Sequence, residues 1–398
     1  MDDLNTTKLP LFNNGTDSGR HFQSSFIVYG AKSHYGMADY LEPKKFTIVL
    51  YDSKIDFDYF SFGFKYDLKI PVFQEPSLVD AKKIIDLMPA FPCNVIAIGG
   101  GSTIDLAKAI VCVRHFPDDV HIGYDKDRNL ASNIEPAKDF LSVIPTTIGS
   151  GSEASRYFAL FQQGRKIPSR AWQAVPRLVV LDPDLLIYLT PATARIQLFD
   201  CWTHLTEVTL SHLELSPIVL LQLDGIRQRL MNFVKSTKSL EVESTRLELQ
   251  VFSYFGGVSI SNTRTGALHT VGEALASQIA IPHVWSLYFS AIHWHQLIQG
   301  EVRKDKNSVI SQKTEILKTS LTEINYWLDY LRMEMPKYLK LNHQEISSFD
   351  FQKFEKMVIL DKVLWDKEHP VCVSVKSIKD YLELTWNEVV KYGLEHTE

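Results

Sequence analysis

Up to about residue 190, apolar positions come in short β-branched and aromatic runs separated by turn residues and amphipathic stretches. Residues 25–30 (SFIVYG) and 45–51 (KFTIVLY) read as strands, and Asp52 follows the second directly. Residues 78–89 carry helical periodicity, and NVIAIGG at 94–100 reads as a buried strand that runs into a helix over 102–116. A polar stretch at 117–140 precedes FLSVIPTT, again strand to turn; SEASRYFALF then opens another segment. RLVVLDPDLLIYLTP adds a last strand, closed by Asp182-Pro183. Strands alternating with helices predict a largely parallel α/β sheet. From about 192 the pattern changes to long amphipathic stretches at 194–212, 216–236, 243–258, 268–278, 284–299, 312–334, 350–364 and 374–392. The expected organisation is a polar tail over 1–20, an α/β dinucleotide-binding domain over 21–192 and an all-helical metal-binding domain over 193–398.

Composition narrows the setting without changing this picture. A chain of 398 residues can hold two cores, and 45% apolar with 22% charged residues is ordinary for a globular protein. A net charge of −5 gives no electrostatic reason to expect nucleic acid or an anionic membrane as partner. No apolar run approaches the roughly 18 residues of a membrane span, and the polar N-terminus lacks the order of a secretory signal. Cys93, Cys112, Cys201 and Cys372 are scattered, with no C-x-x-C pair. That pattern suits reduced thiols in a cytoplasmic protein.

Two kinds of stretch carry chemistry. Asp200 and His204, in FDCWTHLTE, are four apart and share a face on one helix. With His269 and His283, in GALHTVGEALASQIAIPHV, they make a plausible cage for a divalent transition metal. The Ile-Pro before His283 argues for a helix followed by a turn. Taken by spacing alone, a D-x-x-x-H pair is more often a cap or salt bridge. The other kind is glycine-rich. IGGGSTIDLAK at 98–108 is a strand-to-helix turn whose amides can face an anion, though it is neither a G-x-G-x-x-G fingerprint nor a Walker loop. A plain reading has Ser102 capping the helix and Asp105 completing a capping box. IPTTIGSGSEAS at 144–155 is a second loop of small and hydroxylic residues. Two such loops favour a dinucleotide, and Asp52 could accept both hydroxyls of an adenosine ribose or simply be a turn aspartate.

Five blocks in order (GGGSTIDLAKA, IPTTIGSGSEAS, LVVLDPDLLIYLTP, FDCWTHLTE and TGALHTVGEALASQIAIPH) resemble the iron-containing, or group III, alcohol dehydrogenases. The resemblance runs from about Ser25 to Trp386. It implies the fold shared with dehydroquinate synthase: a nucleotide-binding α/β domain followed by an all-α domain, with the active site in the cleft between them. It places Asp200, His204, His269 and His283 on the four metal-ligand positions, for iron(II) or zinc. Gly99, Gly100, Gly101, Ser102 and Asp105 fall on the pyrophosphate loop, Thr146, Thr147, Ser150 and Ser152 on the nicotinamide-side loop, and Lys166 on a cofactor-contacting lysine. Asp52 matches an acid that favours NAD over NADP, and homodimers are usual among such proteins.

Three positions depart from the family pattern. Glu273 stands where many relatives have a histidine near the nicotinamide, and is either a candidate for the proton relay or a helix residue paired with a nearby cation. Val284 replaces the glycine that usually follows the last ligand. SNTRTGALH lacks the Asn or Asp that many relatives carry before the third ligand. The Arg264 within it is similar to phosphonoacetaldehyde reductase-like members, and Arg156, in SEASR, is similar to members that oxidise the acidic sugar octulosonate. A guanidinium in the cleft would fork two hydrogen bonds to a carboxylate, phosphonate or phosphate. The implied activity is therefore an NAD-linked, metal-dependent alcohol dehydrogenase or aldehyde reductase for a small polar, anionic substrate. The competing readings are a dehydroquinate synthase-like lyase or cyclase, and a metal-binding relative with reduced turnover.

Overall fold

A computed structural model describes residues 25–60, 62–73, 76–115, 121–122, 138–162, 165–186, 188–210, 217–236, 238–262, 265–304, 314–341, 343–368 and 375–396. The polar segment 1–20, Arg264 and Cys372 lie outside them. The first half is built on a six-stranded, wholly parallel sheet. Its strands are β1 (Phe26–Tyr29), β2 (Thr47–Asp52), β3 (Leu68–Val72), β4 (Asn94–Gly99), β6 (Phe140–Pro145) and β9 (Leu178–Leu181), in the order β1-β9-β6-β4-β2-β3. The remaining strands, β5 (His121–Ile122), β7 (Tyr157–Gln162) and β8 (Arg165–Arg170), form a separate antiparallel sheet. β4 is buried along its whole length. Its alternate residues divide between two cores. Val95 and Ala97 pack with Ile48, Leu50 and Ile110 on one face, while Ile96 and Ile98 pack with Met37, Val49 and Ile144 on the other. A strand covered on both faces has no polar alternation to show, which is why it reads as a continuous apolar run.

Chain order and spatial order part company between β2 and β4. The chain steps outward from β2 to β3, then returns to place β4 on the other side of β2 before continuing through β6 to β9. Open α/β sheets bind ligands beyond the strand ends at such a reversal. Asp52 ends one of the two strands concerned and Gly99 ends the other.

The sequence expectation differs from the fold in three places. β3 is an unforeseen strand, because Pro71 within LKIPV argues against a ladder; it is tolerated at the sheet edge, where no outer partner needs its amide. The segment opening at Ser152 becomes the first arm of the β7–β8 hairpin rather than part of the parallel sheet. The helix after β4, α3 (Gly101–His115), starts before Ser102: the Gly100 carbonyl accepts from the amides of Thr103 and Ile104. The Ser102–Asp105 capping box therefore does not form, and the Asp105 carboxylate accepts instead from Ser152 Oγ at 2.6 Å and the Ala159 amide at 2.9 Å.

Besides α1 (Phe57–Phe60), α2 (Leu78–Ile85) and α3, the described α-helices all follow residue 190. They are α4 (Pro191–Thr209), α5 (Pro217–Val234), α6 (Glu243–Asn262), α7 (Ala267–Ala276), α8 (His283–Lys304), α9 (Thr314–Tyr338), α10 (His343–Ser347), α11 (Phe351–Glu368) and α12 (Val375–His396). Their core includes four buried tryptophans, Trp202, Trp285, Trp294 and Trp327, each worth roughly 1.5–3 kcal/mol on burial by comparison with other large apolar side chains. α6 belongs to both halves. Leu249, Phe252 and Ile260 join the helical core, while Tyr254 and Val258 join a core of the sheet. Among the described residues no helix is long and apolar enough to cross a membrane.

Candidate metal and nucleotide site

α4 begins with a capping box between Thr190 and Thr193 and with Pro191 in its first turn, which fixes the register of everything downstream. Asp200, His204 and Glu207 then recur at i, i+4 and i+7 and share one face. α7 starts at Ala267 and presents His269 in its first turn; after a turn past Ala276, α8 starts at His283 itself, directly behind Pro282. The helix-then-turn reading of that stretch matches this arrangement.

These elements converge on one atom. Around Asp200 Oδ1 stand His269 Nε2 at 3.3 Å, His204 Nε2 at 3.5 Å and His283 Nε2 at 3.6 Å. Such separations are long for hydrogen bonds. They match co-ligands of one ion, since donors about 2.1 Å from a tetrahedral metal lie ~3.4 Å apart. Donor atoms of Asp200, His269 and His283 all lie within 4.8 Å of one another. His204 stands outside that mutual set and joins through Asp200 and a ring stacked on His269, with centroids 4.6 Å apart. His283, at 25% side-chain exposure, is the imidazole of this group most open to solvent, and His204 and His269 are buried. The donor set thus fits a divalent metal, though oxygen and imidazole donors serve iron and zinc alike.

The electrostatics favour a cation. Burial opposes the Asp200 charge, but His204, His283 and His269 outweigh it and hold the carboxyl well below the usual carboxylate range. Burial likewise opposes a charged His269. Hydrogen bonds to Asp200 and Glu207 reverse that and push it up to about 10. Glu207 escaped the sequence reading, although its i+7 spacing from Asp200 was a signal that could have found it.

The two glycine loops meet at the ends of β4 and β6. A Cβ on Gly100 would stand 2.9 Å from Thr147 Oγ1, and one on Gly101 would stand 3.3 Å from Ser150 Oγ. A Cβ on Gly99 would crowd Thr103 and come within 3.1 Å of the Asp52 Cβ. None of these three glycines has a positive φ, so close approach, not backbone freedom, explains the run. The left-handed angles belong to Gly149 (φ 105°) and Gly151 (φ 63°) in the second loop. That loop is seated on the helical half: Gly149 N donates to Ser253 Oγ, Ile148 N donates to Gln197 Oε1, and the Gly151 backbone crosses Gly257 of α6. Thr146 continues the ladder by donating its amide to the Gly99 carbonyl. The cradle of glycines, the start of α3 and the half-buried Asp52 at the sheet reversal fit a dinucleotide.

The other predicted residues are placed less directly. Asp105 and Ser152 bond to each other and brace the loop. Ser102 lies exposed at the start of α3. Lys166 is on β8, opposite Phe161, and its side chain is outside the described set. Arg156 is buried, its guanidinium 4.4 Å from the Trp172 ring centre and 5.3 Å from that of Tyr157, which is a cation–π arrangement. Glu273 sits on α7 one turn beyond His269, half-buried. Val284 lies in the first turn of α8 at a negative φ, so the missing glycine costs no backbone strain. A residue not anticipated is Lys108, fully buried, donating to Ser155 O (2.8 Å), Ser155 Oγ (3.2 Å) and Tyr157 O (2.7 Å). Burial draws its ammonium down to about 8, partly offset by Asp105 and Glu153. Its three-residue spacing from Asp105 was the available signal.

Residues 26–183 match the family model described as iron-containing alcohol dehydrogenase. The chain is 26% identical over 183 residues to 4-hydroxybutyrate dehydrogenase of Cupriavidus necator, covering 46% of this chain and 47% of that one. It is 27% identical over 235 residues to sulfoacetaldehyde reductase of Bilophila wadsworthia, covering 58% and 59%. The chain thus spans about half the length of the curated relatives it matches. An iron-containing alcohol dehydrogenase from Thermococcus thioreducens superposes with a TM-score of 0.73 at 17% identity, over 92% of this chain and 100% of that one, which shows a common fold.

Proposed function

We propose that this chain, which belongs to the iron-containing alcohol dehydrogenase family through residues 26–183, is a metal-dependent, NAD-linked alcohol dehydrogenase or aldehyde reductase. The observation that carries the reading is the convergence of three imidazole nitrogens on one Asp200 oxygen at co-ligand spacing. Asp200, His204, His269 and His283 would hold the metal, and Asp52, the three glycines, Ser102 and the loop with Thr146, Thr147 and Ser150 would hold NAD. When bound, a divalent ion supplies a Lewis acid for the alcohol or carbonyl oxygen, and the nicotinamide gives or takes the hydride. The protein's own work is alignment. The glycine cradle and the start of α3 receive the pyrophosphate, Asp52 accepts from the ribose hydroxyls and repels a 2′-phosphate, and Glu273 carries the alcohol proton toward solvent.

The substrate is small and anionic in this reading. Two relatives are named for 4-hydroxybutyrate and sulfoacetaldehyde, both bearing an anionic group beside the reacting carbon chain. Arg264, five residues before His269 in the sequence, is our choice for the anion's partner, and Arg156, held against the Trp172 and Tyr157 rings, is the second candidate. Reduced thiols and the family resemblance favour a cytoplasmic homodimer.

The test is metal content followed by turnover. Asp200→Ala and His283→Ala should each lower bound iron or zinc by elemental analysis, and full occupancy in both would remove the ligand assignment. The parent enzyme, assayed by nicotinamide absorbance against hydroxy acids, sulfonates, phosphonates and neutral alcohols, should favour the anionic members. Preference for neutral alcohols would refute the substrate class.

A further inference from the structure

Glu207 is 2% exposed and its two carboxylate oxygens have different partners. Oε2 is 2.6 Å from His269 Nδ1, and Oε1 accepts from the Leu268 amide at 2.9 Å. Leu268 is the second residue of α7, whose N-cap position is Gly266 and carries no side-chain cap. We infer that Glu207 is a positioning residue for the metal centre: it fixes the tautomer and pose of His269 while anchoring the start of the helix that carries it. The inference rests on the metal reading above.

An ionised carboxylate only accepts, so the hydrogen in the Glu207–His269 contact resides on Nδ1. Nε2, the atom that faces Asp200, is then the nitrogen left to coordinate an ion. The backbone is held as firmly as the ring. The Leu268 amide donates to Glu207 from α4, and the Leu268 carbonyl accepts from Ser290 Oγ of α8 at 2.8 Å. Ser290 is in turn bonded to Tyr381 Oη of α12 at 2.6 Å. Leu268, the residue before His269, is therefore held at both its amide and its carbonyl, and Glu207 contacts both that amide and the imidazole. The acid also sits where the N-terminal end of the α7 dipole favours negative charge.

A capping role alone and a positioning role predict different behaviour for Glu207→Gln. Glutamine keeps the size and one acceptor, so its oxygen can still cap Leu268. Its NH2 would then face Nδ1 and favour the tautomer with hydrogen on Nε2, the wrong one for a metal. The experiment titrates the metal-stripped full-length protein with Co(II), read by visible absorption and by chelator competition, alongside thermal melts and NAD binding. Glu207→Gln should weaken Co(II) binding about tenfold to a hundredfold and alter the absorption bands, with the melt and NAD affinity little changed. Parent-like Co(II) affinity and spectrum in Glu207→Gln would overturn the inference while leaving the metal centre standing. A parent protein that takes up no Co(II) would overturn both. If the variant does not fold, nitrogen-15 histidine spectra of the zinc-loaded parent decide the matter: a hydrogen on His269 Nδ1 supports it, and its absence there overturns it.

Discussion

Gly257 sits in the middle of α6, where alanine is ordinarily the better residue by ~1 kcal/mol. The structure predicts the opposite sign. A Cβ at Gly257 would stand 1.9 Å from the Gly151 carbonyl oxygen and 2.7 Å from its carbon, and neither atom belongs to a side chain that could turn away. Reaching an ordinary 3.4 Å contact requires the two backbones to separate by about 1.5 Å, the difference between those distances. Overpacking of this kind costs ~1–3 kcal/mol. Against the propensity gain, the net is a loss of up to about 2 kcal/mol, and a domain of this size falls ~2–4 °C in melting temperature per kcal/mol. Gly225, on α5, supplies the control, because a Cβ there meets nothing within 4 Å. Gly225→Ala should therefore raise the melting temperature while Gly257→Ala lowers it. Displacing the loop that we assign to the nicotinamide should also cost turnover on the order of a hundredfold for an ångström of misplacement. Matched thermal melts and nicotinamide assays of the two variants test this. If Gly257→Ala is stabilised like Gly225→Ala and turns over normally, the backbone crossing does not set the loop.

Two other perturbations are expected to read out cleanly. Asp52→Gly should narrow the preference for NAD over NADP in steady-state assays, and an unchanged ratio would remove Asp52 from the ribose. Asp182 accepts from the amides of Lys32, His34 and Asp184 and from the His34 ring. Burial opposes its charge, but these bonds win and hold it below the usual carboxylate range. Its stabilisation is therefore complete above the ordinary aspartate value and is lost as pH falls through the folded one. Asp182→Asn should lower the melting temperature at neutral pH and converge with the parent under acid; a constant gap at every pH would refute the linkage.

The parts of the fold visible in the sequence are those where a local pattern and the tertiary outcome agree. β4 and β6 read as buried strands because both their faces are covered, and α6 and α8 read as helices because their apolar spacing is long and regular. β3 was hidden by Pro71, whose missing amide matters only inside a sheet. The box at Ser102 and Asp105 was locally sound, yet Asp105 found partners 47 and 54 residues away in Ser152 and Ala159. The four proposed ligands were legible from their residue types and from family likeness; their meeting on one carboxylate oxygen was not. Glu207 shows the limit most clearly. Its place on the Asp200 face could be counted, but its histidine partner lies 62 residues further along the chain.

One turn of α4 joins the second loop to Asp200. A Cβ on Gly149 would meet the Gln197 carbonyl at 2.2 Å, Ile148 is bonded to the Gln197 side chain, and Asp200 follows three residues later. The rise between those positions is about 4.5 Å. The helix thus works as a gauge block, cutting the span between the loop and the proposed ligand set to a length that covalent geometry dictates. A single-residue insertion between Gln197 and Asp200 would rotate one against the other by about 100° at 3.6 residues per turn. Sequence drift in the sheet leaves that span untouched, whereas a change of length within this one turn destroys it.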